Sequence, residues 1–121
     1  FGAGGEPAGI GRIARDGAAW GRSLRSALAE AELDPQDVGT VVSAASGHPL
    51  VDLAQRAALR LTGLDGRPVL APKALLGETY GSAGALGLVA ALTGDGIPGP
   101  VLLSSFAYGG SYAAAVIDPE A

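Results

Sequence analysis

Pro72-Lys73-Ala74-Leu75-Leu76-Gly77-Glu78 leads into a segment, about Tyr80 to Leu92, that is apolar almost all round, and the chain then reaches Ser104-Ser105-Phe106-Ala107-Tyr108-Gly109-Gly110-Ser111. Gly81, Ser82, Ala83, Gly84 and Gly87 leave the middle segment little side-chain bulk. A helix of that composition has no solvent face, so it predicts burial on several sides with other backbones approaching closely. Gly94 ends it. Val101 to Phe106 and Tyr112 to Ile117 then predict two strands joined around Ala107 to Ser111, where paired glycines supply the positive φ that a hairpin needs.

Toward the N-terminus the same alternation continues. Phe1-Gly2-Ala3 reads as the end of a strand, followed by a glycine-rich loop to about Asp16. Trp20, Leu24, Ala27, Leu28 and Ala31 recur at helical spacing, which predicts a helix over 17–31 with Asp16 as N-cap. Asp34-Pro35 stops it. Val38 to Ala45 is short, apolar and β-branched, as a strand requires. Pro49 opens a second helix carrying Leu50, Leu53, Ala54, Ala57, Ala58 and Leu61, with Gly63 as its C-cap. Leu64-Asp65-Gly66-Arg67 is a turn, and Arg67 to Ala71 is a further strand.

The order βαβαβαββ predicts an α/β fold: a mixed, mostly parallel sheet with helices on its faces. A helix buried on both sides calls for another layer beyond it. These residues hold too few strands to supply one, so a second half must, from a preceding part of the chain or from another chain.

Composition narrows the function classes. The chain has 121 residues, 48% of them hydrophobic, enough for the core of one domain. A net charge of −4 and a pI near 4.7, with scattered Arg12, Arg15, Arg22, Arg25 and Arg56, exclude a nucleic-acid surface. No apolar run reaches the roughly 18 residues of a membrane span. No secretory or transit-type leader is read at the start, so a soluble, cytoplasmic protein is expected. Cysteine is absent, which removes thiolate nucleophiles and thiolate metal sites from this stretch, and no metal or cofactor is expected. Methionine is absent as well, and the opening Phe1-Gly2-Ala3-Gly4-Gly5 predicts a piece of a longer chain. High Ala, Gly and Arg with a single lysine fits a GC-rich bacterial coding sequence.

The ordered set of lysine, glycine, small-residue helix and aromatic double-glycine hairpin resembles the C-terminal half of a β-ketoacyl synthase, of the thiolase superfamily. The resemblance covers nearly the whole chain and is strongest from Asp16 onward. It implies half of a thiolase-like fold, in which two similar halves stack as five layers. Where that family carries Asn-Ala-His-Gly-Thr-x-Thr-Pro, this chain reads Ser43-Ala44-Ala45-Ser46-Gly47-His48-Pro49, one residue shorter. Ala45 falls at the first family histidine, and His48 lies three positions on. Lys-x-x-x-Gly-His becomes Lys73 to Glu78, keeping the lysine and losing the second histidine. Asn-Ser-Phe-Gly-Phe-Gly-Gly-Thr-Asn becomes Ser104 to Tyr112, with Tyr108 at the aromatic that gates the acyl pocket and Gly109 and Gly110 at its floor. The family's nucleophilic cysteine belongs to the N-terminal half.

The two family histidines polarise a malonyl thioester and stabilise the enolate formed on decarboxylation. Alanine donates nothing. A carboxylate with an ordinary pKa of about 4.3 repels developing negative charge unless burial protonates it. The resemblance therefore implies a chain-length factor, a non-condensing subunit that pairs with an active ketosynthase as a heterodimer, shapes its acyl tunnel and meets acyl carrier protein. Its own N-terminal half would complete the fold. The setting would be bacterial type II polyketide or fatty-acid elongation.

An alternative is a divergent acyltransferase with its nucleophile in the other half and His48 as base. A third is a purely structural half-fold. Enzyme activity stays open between these.

Individual residues carry similar alternatives. His48 is either a base, oriented by Asp52, or a cap before Pro49. Lys73 and Glu78 are either an acid–base pair or a buried ion pair. Phe106, Tyr108 and Tyr112 line a tunnel or fill the core. Trp20 and the arginines at 12, 15, 22 and 25 dock an acidic carrier protein or belong to an amphipathic helix.

Overall fold

The computed structural model describes residues 1–5 and 13–119. Most of the expected glycine-rich loop, including Arg12, lies outside the described residues. The elements are β1 (Gly2–Gly5), α1 (Ala18–Glu30), β2 (Thr40–Val42), α2 (Pro49–Leu61), β3 (Val69–Leu70), α3 (Pro72–Leu76), α4 (Ala83–Thr93), β4 (Val101–Ala107) and β5 (Ser111–Ile117). Single 3-10 turns sit at Pro35–Asp37 and Tyr80–Ser82. The strands form one sheet in the order β1-β5-β4-β2-β3. β2 runs parallel to β3 and β4, whereas β5 is antiparallel to both β4 and β1. The sheet is thus mixed as expected, but half of its pairings are antiparallel rather than most being parallel. The terminal hairpin supplies one of these and β1, laid against β5, the other.

Side chains end the strands earlier than β-propensity suggests. The N–H of Val38 bonds back to Pro35 O and so belongs to the preceding turn. Beyond β2, the N–H of Ala44 donates to Gln55 Oε1 (2.9 Å) and that of Ala45 to Ser43 Oγ (2.9 Å). These bonds satisfy buried backbone without a neighbouring strand. β3 is held to two residues because Arg67 N is committed to Leu64 O and Pro68 has no N–H. The five-residue helix α3 has no counterpart in the sequence reading.

Helix α1 starts almost where expected. Asp16 Oδ1 accepts from Ala18 N (3.0 Å), while Gly17 takes the cap position at φ 68°. A Cβ on Gly17 would sit 2.5 Å from Ala58 N, so glycine also permits the contact of α1 with α2. Pro49 occupies the first turn of α2 as read, and Gly63 follows it at φ 73°.

The sheet separates two apolar clusters. On one face, α1 and α2 pack Trp20, Leu24, Ala54 and Ala58 against Val41, Leu102, Phe106 and Tyr112. Trp20 is fully buried, its ring 5.2 Å from Tyr112 and 5.4 Å from Phe106, and its Nε1 donates to Ser104 Oγ at 2.8 Å. It is a core residue, which removes it from any docking surface. Arg22 and Arg25 are exposed, and Arg25 Nη1 donates to Leu61 O.

On the opposite face α4 covers Val42, Val101 and Leu103. Only Gly87 and Ala91 of α4 are fully buried; Leu88, Val89 and Leu92 are exposed, as are Leu75 and Leu76 of α3. The expected multi-sided burial of this helix is therefore not met within the described residues, because the sheet covers one side alone.

Ser104→Ala removes the acceptor of a buried indole N–H. In the full chain it lowers stability by about 1–3 kcal/mol, read as a lower urea midpoint at unchanged slope; an unchanged midpoint would contradict the bond.

Candidate functional site

Helix α3 carries Lys73 inward, where its side chain is only 4% exposed. Its Nζ lies 2.7 Å from Glu78 Oε1 and 4.9 Å from the Phe106 ring centroid. Charge and ring face together make up for much of the hydration that the ammonium has lost. Gly77, at φ 82°, ends α3 and turns the chain so that Glu78 can reach back to the lysine. The same Glu78 Oε1 accepts from Thr79 N (3.0 Å) and Tyr80 N (2.9 Å). Glu78 Oε2 and Thr79 Oγ1 are buried and have no hydrogen-bond partner among the described residues.

Burial alone would raise the Glu78 pKa. The Lys73 hydrogen bond, the Tyr80 N–H, the lysine's charge and the Thr79 N–H together outweigh it and hold the carboxyl below 4.5. Glu78 is accordingly a carboxylate at neutral pH, locked to an ammonium. Tyr108 shifts upward, from burial first and then from the charges of Glu78 and Tyr80.

Beside this pair lies an open groove of about 460 Å³, bounded by Glu78, Tyr80 and Gly81 on one side and by Ser105 to Tyr108 and Ser111 to Ala113 on the other. A second hollow of about 270 Å³ shares Gly84, Ser105 and Ala113 with it and extends between α4 and the hairpin toward Leu88 and Phe1. Lys73 borders the second hollow and Glu78 the first, so the ion pair stands where they join. Tyr108 packs edge-on to Phe106 at 5.2 Å and lies 6.4 Å from Tyr80. The surface is chiefly aromatic and aliphatic, with a few hydroxyls.

The structure thus brings together Lys73, Glu78, Phe106 and Tyr108 of the residues expected from sequence. Phe106 serves both core and groove, as does Tyr112. Gly109 and Gly110 do not line the groove. At φ 101° and 95° they form the turn that presents Tyr108, and lacking side chains they add no wall.

His48 stands apart. It is exposed, caps α2 by accepting from Leu50 N at Nδ1 (3.3 Å), and is absent from the lining of either hollow. Asp52 does not orient it: Asp52 Oδ1 accepts from Ser46 N at 3.2 Å. Among the described residues no three His, Asp or Glu side chains gather as a metal site, and no helix is long and apolar enough to cross a membrane. Tyr80 and Ser105 are site residues that sequence reasoning missed. Tyr80 immediately precedes the small-residue segment, but nothing in its neighbourhood announces a left-handed backbone.

Comparison with known proteins adds a family and a fold. The family described as Beta-ketoacyl synthase, C-terminal domain, matches residues 2–94. A β-ketoacyl synthase 2 associated with granaticin polyketide in Streptomyces violaceoruber is 45% identical over 75 residues, which is 61% of this chain and 18% of that protein. The tetracenomycin polyketide synthase ketoacyl synthase beta subunit of Streptomyces glaucescens is 37% identical over 93 residues, covering 67% of this chain and 23% of the relative. The chain therefore spans about a fifth of the length of these relatives. Among solved structures, the ishigamide ketosynthase/chain length factor superposes with a TM-score of 0.79 at 23% identity, over 95% of this chain and 36% of that one. A type II polyketide synthase acyl-carrier protein in complex with its ketosynthase bound to the hexaketide gives 0.80 at 19% identity, with the same coverages. At these identities the two structures establish the ketosynthase, thiolase-like fold.

The lowered pKa of Glu78 has a definite consequence for stability. A carboxyl whose folded pKa lies below its unfolded value contributes stability that is complete above the unfolded value, near 4.5, and lost as pH falls through the folded one. The stability gap between the parent and Glu78→Gln should therefore narrow as pH drops from 6 to below 4, measured by urea midpoints. A gap independent of pH would contradict an ionised Glu78.

Proposed function

This chain belongs to the β-ketoacyl synthase family through its C-terminal domain, and we propose that it is part of a chain-length factor, the non-condensing partner of an active ketosynthase. One observation carries this: position 78, a histidine in the condensing pattern, holds an ionised carboxylate bound to Lys73. Decarboxylative condensation builds up negative charge and needs donors aimed at it. A fixed carboxylate opposes that charge, and the lysine that might offset it is already engaged. Ala45, at the other histidine position, has no side-chain donor.

With condensation disfavoured, the groove remains as a surface for an acyl chain. Its walls are chiefly apolar, its aromatic residues come from the hairpin and the turn before α4, and it has no cysteine among its lining residues. The proposed assembly is a heterodimer of the longer chain, its own N-terminal half included, with a ketosynthase, supplied by acyl carrier protein. The similar proteins named above are polyketide synthase subunits, which favours polyketide over fatty-acid elongation.

The acyltransferase alternative needs a base, and His48 is occupied as a helix cap away from the groove. His48→Ala should lower stability only slightly, since it removes one exposed cap bond, and leave turnover of the assembly in place. Lost turnover with assembly intact would restore His48 as a base. If Tyr108 bounds the acyl chain, Tyr108→Ala in the full-length chain, assembled with its ketosynthase, shifts products toward greater length by mass spectrometry; an unchanged distribution would count against the chain-length role.

A further inference from the structure

We propose that Tyr80 is a specificity-determining wall of the groove and that Glu78 is the positioning residue that holds it there. This rests on the chain-length reading above and names the residues through which it works.

The backbone gives the first evidence. Among the described residues Tyr80 and Glu32 are the non-glycine residues at positive φ. Glu32 (φ 56°) follows the end of α1, where left-handed residues ordinarily terminate helices. Tyr80 (φ 48°) instead opens the turn into α4, where a bulky residue is strained unless its surroundings fix it. Two sets of bonds do so. Its N–H donates to Glu78 Oε1 at 2.9 Å, and the turn closes behind it through Ser82 N and Ser82 Oγ, both donating to Thr79 O. The carboxylate is itself held by Lys73. Lysine, glutamate and Tyr80 backbone thus form one chain of contacts.

The ring shows what that conformation achieves. Tyr80 is 71% exposed, so its side chain is not stabilised by burial in the core. It stands at the groove's edge, 6.4 Å from Tyr108, which in turn packs on Phe106. Tyr80 on one side and Tyr108 on the other, their rings inclined at 45°, narrow the groove between them. Glu78 lines the same groove, and its second carboxylate oxygen is buried. A glutamate in place of histidine is then explained by what it holds rather than by what it protonates.

The test uses the full-length chain assembled with its ketosynthase, with products sized by mass spectrometry. Tyr80→Gly accepts the left-handed backbone freely and deletes the ring, so assembly should survive while the ratio of longer to parental-length product rises several-fold. Tyr80→Phe restores the parental ratio. Glu78→Ala, which removes the acceptor, reproduces the shift of Tyr80→Gly, and combining the two adds nothing. Glu78→Gln retains an acceptor for the Tyr80 N–H and restores the ratio. If Glu78→Ala does not assemble, Tyr80→Gly and Glu78→Gln decide.

An unchanged ratio in Tyr80→Gly, where Tyr108→Ala does shift it, would overturn the role of Tyr80 and leave the chain-length reading standing. No shift in either variant would overturn both. Loss of all product with assembly intact would also overturn it, since a wall residue alters length rather than chemistry. A shift in Tyr80→Gly that an assembled Glu78→Ala does not share would overturn the positioning role of Glu78.

Discussion

An ammonium removed almost completely from water must find compensating charge, and the candidate site is organised around how Lys73 does so. Glu78 and the Phe106 ring face supply the compensation. Removing one member of a buried pair typically costs about 3–5 kcal/mol, because the other is left uncompensated; the partial exposure of Glu78, 19%, places this pair toward the lower end. The pair also fixes geometry. It ties α3, which carries the lysine, to the turn before α4, which carries the glutamate, and to the hairpin, which carries the phenylalanine. The groove lies where these three meet.

The same pair separates the site's architecture from the family's condensing chemistry. In the proposed reading a lysine, a glycine turn and an aromatic hairpin are retained, while the two positions that would answer negative charge hold a methyl group, at Ala45, and the Glu78 carboxylate paired with Lys73. Burial first, and then the charges of Glu78 and Tyr80, raise the pKa of Tyr108, so the phenol stays a neutral hydroxyl. In the proposed function such a surface would hold a chain by shape, ring faces and a few hydrogen bonds.

Much of the fold was legible because local and long-range signals agreed. Pro49 and the periodic apolar residues of α1 and α2 marked helices that the sheet then used. The strand ends were not legible, since Gln55 and Ser43 satisfy the backbone after β2 across distances that propensity does not see. Trp20 looked equally like a surface anchor or a core residue until Ser104, 84 residues away, was placed against its indole nitrogen. In the site, Lys73, Glu78 and Tyr108 could be singled out by motif. Tyr80 could not, because its importance rests on a backbone angle set by a neighbour's side chain. Helix α4 shows the reverse case: its composition called for burial on many sides, and the described residues cover one of them.

The central claim is that this site holds an acyl chain without condensing it. The most direct measurement is the intact mass of the full-length chain, alone and with its ketosynthase partner, after exposure to an acyl thioester and a malonyl thioester of the carrier protein. The account predicts that the acyl adduct resides on the ketosynthase and that this chain alone neither retains an acyl group nor releases carbon dioxide from the malonyl thioester. An acyl adduct on this chain together with decarboxylation in the absence of the partner would contradict it.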